Sequence, residues 1–81
     1  MKAVEATVGE MQSTDKTVHL KVDDDTNGNA TVDDRGFAIA AACRVAKKKV
    51  WLTYTSFTAP KGKGEVGTFS GVELGTDDFT D

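Results

Sequence analysis

Two stretches of the chain carry side chains whose types and spacing could do chemistry. The first is VDDDTNGNATVDD, residues 22–34, where five carboxylates, two amides and two hydroxyls fall within thirteen positions. Such a density of hard oxygens suits a divalent cation. It equally suits a tight acidic turn, because Asp, Asn and Gly are the ordinary turn residues. The second is CRVAKKKVWLTYTSFTAPKGKGE, residues 43–65, which interleaves six cations with Trp51, Tyr54 and Phe57. Aromatic faces stack on nucleobases or sugar rings, and lysines track phosphates.

Counted from Asp23, the acidic stretch resembles the EF-hand calcium loop, and its closing aspartate resembles the dockerin variety of that loop. The resemblance implies oxygen ligands from Asp23, Asp25, Asn27, Asn29 through its carbonyl, Thr31 through a water, and Asp34, with Gly28 at the glycine position. A loosely held Ca2+ is the one cofactor expected. The segment before the loop, KTVHLKV, alternates like a strand and not like an entering helix. The alternative is therefore an Asx-rich type I′ hairpin turn centred on Asn27-Gly28.

Catalytic constellations are lacking. His19 is the single histidine and falls on the outward side of an alternating segment, with no Ser or Cys partner indicated. Cys43, the single cysteine, sits mid-helix on an apolar stripe and reads as a small buried hydrophobe. The glycine-rich KGKGEVGTFSG lacks the phosphate-loop pattern and no helix follows it. The chain is read as non-enzymatic.

Eighty-one residues make one domain, placed at 1–74, followed by an acidic tail at 75–81 that is expected to fray. One cysteine excludes an intrachain disulfide and a cysteine-based zinc site, and it leans toward a reducing, cytoplasmic setting or toward a secreted domain that needs no bridge. MKAVEATVGE has no apolar core of a signal peptide, and no stretch approaches the roughly 18 apolar residues of a membrane span. The net charge of −3 hides an asymmetry: residues 44–63 hold six cations and no acid, leaving −9 on the rest.

The elements that must position these residues follow from hydrophobic period. Residues 2–11 and 17–23 alternate as strands, with a bend at Gly9, and a short third strand is expected at 30–33. FAIAAACRVAKKK changes the period. Five alanines, Asp34 as N-cap with Asp33 beside it, and lysines at the end predict a widely buried helix at 35–48. VWLTYTSF (50–57) is a strand, and VGTFSGVEL (66–74) is a last strand with bulges at Gly67 and Gly71.

The fold is thus mostly β with one helix, in the order β-β-β-α-β-β. That order resembles the OB-fold, a small Greek-key barrel, and the alternative is an open α+β sheet with one packed helix. The OB resemblance implies a binding module for an oligosaccharide or single-stranded nucleic acid. Trp51, Thr53, Thr55 and Phe57, opposite Val50 and Leu52, form the expected ligand face, with Lys61 and Lys63 beside it. The other reading is a structural subunit that meets another protein, or another copy, through a strand edge.

Overall fold

A computed structural model describes residues 3–76. It is mostly β with one helix: β1 (Val4–Gln12), β2 (Thr17–Lys21), β3 (Asn27–Thr31), α1 (Asp34–Ala46), β4 (Val50–Thr53), β5 (Ser56–Thr58), β6 (Gly67–Ser70) and β7 (Glu73–Gly75). The seven strands form one curled, half-barrel sheet in the order β5-β6-β3-β2-β1-β4-β7. Alternation along β1, β2 and β3 turns Ala6, Val8, Val18, Leu20 and Ala30 inward, where they meet Val50, Leu52, Phe69 and Leu74. Each buried Val or Leu contributes about 1.5–3 kcal/mol, and a core this small depends on nearly all of them.

The bend expected at Gly9 is a β-bulge. Val8 faces Leu20 while Met11 faces Val18, so β1 fits one extra residue between those two pairs. The expected Asn-Gly turn is corrected. Asn27, Gly28 and Asn29 belong to β3, paired with Lys21, Leu20 and His19. A Cβ on Gly28 would collide with the backbone of Gly67 in the neighbouring parallel strand, so this glycine serves close strand approach and not a turn. The third strand consequently spans 27–31, not 30–33.

The helix begins one residue earlier than the pattern predicts and is capped by Asp33, not Asp34: the Asp33 carboxylate accepts from Gly36 N at 2.7 Å. It ends at Ala46 in a Schellman turn, with Lys47 left-handed at φ 57°. Lys48 N donates to the Cys43 carbonyl and Lys47 N to that of Arg44. Burial is narrower than the apolar composition suggests. Gly36, Ala40 and Cys43 make the buried stripe, Phe37 and Ile39 flank it, and Val45 is 84% exposed.

The expected strands 50–57 and 66–74 are each broken in two. Trp51 pairs with Gly75 and Leu52 with Leu74, while Phe57 pairs with Phe69 and Thr58 with Thr68. Both ladders keep one register, so 50–58 and 67–75 form a single kinked hairpin. Its lower half pairs with β1 through β4, and its upper half pairs in parallel with β3 through β6. Gly71, at φ 64°, makes the kink, since any Cβ there would meet the Thr55 hydroxyl. Both the amide and the hydroxyl of Thr55 donate to the Ser70 carbonyl, each at 2.9 Å. Gly75, assigned to the tail from sequence, is buried and paired in β7. The rest of the expected acidic tail, from residue 77 on, lies outside the described residues.

Candidate functional site

The acidic loop is a side-chain-closed turn. Asp23 Oδ1 accepts from the amides of Asp25 at 2.9 Å and Thr26 at 2.7 Å, and Asn27 Nδ2 donates to the Asp24 carbonyl at 3.0 Å. The five residues of β3 then run away from the turn. Asp34 emerges at the opposite end of the β2–β3 ladder, where it pairs with Lys16 at 3.6 Å. Four residue steps of strand separate the two ends by about 13 Å. Asp23, Asp25 and Asn27 therefore share a neighbourhood that Asp34 does not enter, and Asn29 stands two residues along β3, paired with His19. Among the described residues, no group of three or more His, Cys, Asp or Glu side chains is placed to hold a metal ion.

The residues grouped around Trp51 are likewise separated. Trp51 is half-buried on β4, opposite Glu5 on one side and Gly75 on the other. Thr53 is buried, and its hydroxyl donates to the Glu73 carbonyl at 3.5 Å. Thr55 is committed to the kink. The kink also reverses the facing of the chain: Val50 and Leu52 face the core before it, and Phe57 does so after it. Phe57 and Tyr54 lie against Phe69 with ring centroids 4.7 and 5.0 Å apart. Lys61 and Lys63 sit exposed on the hairpin loop 59–66, beyond β5. Lys47, Lys48 and Lys49 lie before the other end of the hairpin, so the basic stretch is divided between its two ends.

What the fold does bring together is the outer face of β1, β2 and β3. The bulge, the β1–β2 turn and the loop before β6 frame a depression of about 730 Å³. Gln12, Thr17, His19 and Asn29 supply its amides, hydroxyl and imidazole, Glu10 and Asp15 its acids, and Val66 its apolar edge. His19 is held against Gly9, where a Cβ would stand 2.8 Å from Nδ1. Thr17 and Asn29 are shared with a second depression of about 490 Å³, which continues over Thr31, Thr68 and Ser70. The two form one trough of mostly uncharged hydrogen-bonding groups, with the two acids at one end and, among the described residues, no lysine or arginine in its lining.

Sequence reasoning took His19 as a lone surface histidine and Asn29 as a loop residue offering its carbonyl to a calcium ion. The available signal was that every outward position of 17–21 is polar, which is informative only once the partners on either side are known. The chain matches no protein-family model, no curated protein and no solved structure.

Proposed function

We propose that the protein is a non-enzymatic, OB-like binding module whose ligand is a neutral polar chain, such as an oligosaccharide, laid along the trough over β1, β2, β3 and β6. The observation that carries this reading is the trough's chemistry: hydroxyl, amide and imidazole groups across two depressions that share Thr17 and Asn29, two carboxylates at one end, and no cation among the described residues of the lining. Carboxylates and amides accept from and donate to sugar hydroxyls, whereas a nucleic acid would bring phosphates to Glu10 and Asp15 unpaired.

The OB-like reading is supported by connectivity. With 50–58 and 67–75 each counted as one kinked strand, five strands remain, and the helix falls between the third and fourth. The trough is framed by the loop between the first two strands and the loop between the last two, the positions where OB-folds hold oligosaccharides or oligonucleotides. Pairing with another chain through a strand edge has less support, because the two end strands, β5 and β7, are three residues each.

The test is a titration of isotope-labelled protein with a panel of neutral oligosaccharides, read by amide NMR at two salt concentrations. Shifts are expected at Thr17, His19, Asn29 and Thr68, with affinity nearly flat between about 50 and 200 mM salt. Shifts confined to Trp51 and its neighbours, or an oligonucleotide binding the trough with steep salt dependence, would overturn this reading.

A further inference from the structure

We infer that the cleft between the C-terminal end of α1 and the outer edge of β1 is a separate binding site for a phosphate-bearing small ligand. The cleft encloses about 300 Å³, the lower end of the range for small-molecule sites. Val8 and Cys43 make its floor, Thr7 offers a hydroxyl at its rim, and Arg44, Lys47, Lys48 and Lys49 surround it. No acid lines it.

Four unit charges converge here because of the helix cap. The Schellman turn reverses the chain at Lys47, so Lys47 and Lys48 stay beside Arg44 instead of continuing along the helix axis. Lys47 holds a left-handed conformation where glycine is the usual residue, which keeps a fourth cation at the cleft at a conformational cost. A helix C-terminus carries about −0.5 charge, which opposes an anion. Two of its carbonyls are already occupied by the cap, and the four cations exceed the remaining partial charge several-fold.

Two lysines of the sheet's first hairpin are treated differently. Lys16 pairs with Asp34 at 3.6 Å and Lys21 with Asp24 at 3.1 Å. Among the described residues no ion pair engages Arg44, Lys47, Lys48 or Lys49. The size of the ligand follows from the surrounding field. The chain's net charge is −3, so with these four cations set aside the remainder carries −7. A long polyanion leaving the cleft would meet that remainder, whereas a single phosphate or diphosphate group stays within reach of the four cations.

The experiment uses inorganic pyrophosphate as the probe, with amide NMR of the intact chain at fixed low ionic strength. Shifts are expected at Thr7, Val8 and residues 43–49, saturating below about 1 mM. The paired variant Lys48→Ala/Lys49→Ala should weaken binding at least about tenfold. Lys61→Ala/Lys63→Ala, which removes the same charge at the other end of the hairpin, should leave affinity within about twofold. All four lysines are exposed, so both variants are expected to fold. Equal weakening by the two variants would reduce the effect to general counterion attraction and overturn the proposal. The absence of shifts up to about 10 mM pyrophosphate would also overturn it. So would a short oligonucleotide that binds far more tightly and shifts the Lys61–Lys63 loop together with the cleft.

Discussion

The trough and the cleft lie on the same strand, β1, and share almost no chemistry. Among the described residues, Gln12, Thr17, His19 and Asn29 hold the trough without a cation, while Arg44, Lys47, Lys48 and Lys49 hold the cleft without an acid. The division is made by topology. Residues 43–65 form one basic and aromatic stretch in the sequence, but the kinked hairpin sends its two lysine groups to opposite ends and turns Phe57 into the core. Composition over a window therefore misstates where charge resides. Under the two proposals, neutral and anionic ligands would bind independently on surfaces of contrasting charge.

The largest expected effect breaks the comparison by removing the frame of both surfaces. A Cβ on Gly67 would enter the Phe57 ring and meet the Thr58 carbonyl, and one on Gly28 would enter the Gly67 backbone. Gly67→Val is expected to cost about 3–5 kcal/mol through overpacking and loss of the β3–β6 contact. Denaturant unfolding should show the variant largely unfolded in water. A stable, cooperative variant would show that the parallel contact between β3 and β6 does not hold the sheet in its curl.

Those two glycines also mark the limit of what could be read beforehand. Strands 4–12 and 17–21 were legible because one face is buried and alternation reports burial. Asn27-Gly28 was misread because its local preference for a turn is overridden by a neighbour thirty-nine residues away in the chain. The break at Thr55 was invisible in VWLTYTSF because its cause is Gly71, across the hairpin. In the helix, five alanines indicated its existence but not its orientation, so the burial expected all along 35–48 fails at Val45, which is exposed. The trough was missed for the same reason: Thr17, Asn29 and Thr68 lie on three strands that only pairing brings together.

The next effect in size separates the two surfaces. Asn29→Ala removes an exposed amide at the junction of the two depressions and leaves the β2–β3 ladder intact. It should weaken a trough ligand about tenfold, the loss of a hydrogen-bonding group worth roughly 1–1.5 kcal/mol, and leave pyrophosphate binding unchanged. Loss of both bindings together would show the surfaces to be coupled.

Asp33→Ala tests the start of the helix whose opposite end forms one wall of the cleft. It should cost about 1 kcal/mol in a denaturant melt, since the Gly36 amide loses its acceptor. Asp34→Ala should cost less than half of that if Asp33 alone is the cap. The reverse order would return the N-cap to Asp34.

The smallest effect concerns the charge of the trough's rim. Lys16 follows Asp15 in the β1–β2 turn, left-handed at φ 56°, with its ammonium 5.6 Å from the Phe37 ring centroid and 3.6 Å from Asp34. Asp34 is 94% exposed, so solvent screens the pair and its stability contribution should fall within about 0.5 kcal/mol. Its larger consequence is electrostatic: Asp34 balances Lys16, which stands beside Asp15 in the turn that frames the trough. Asp34→Asn should therefore leave the melting midpoint within error and neutral-sugar affinity within about twofold, while adding one uncompensated positive charge beside Asp15. If that single charge made the trough accept pyrophosphate, the sorting of ligands between the two surfaces would rest on Asp34 and not on the layout of the hairpin. If the trough still refused the anion, topology alone would account for the separation.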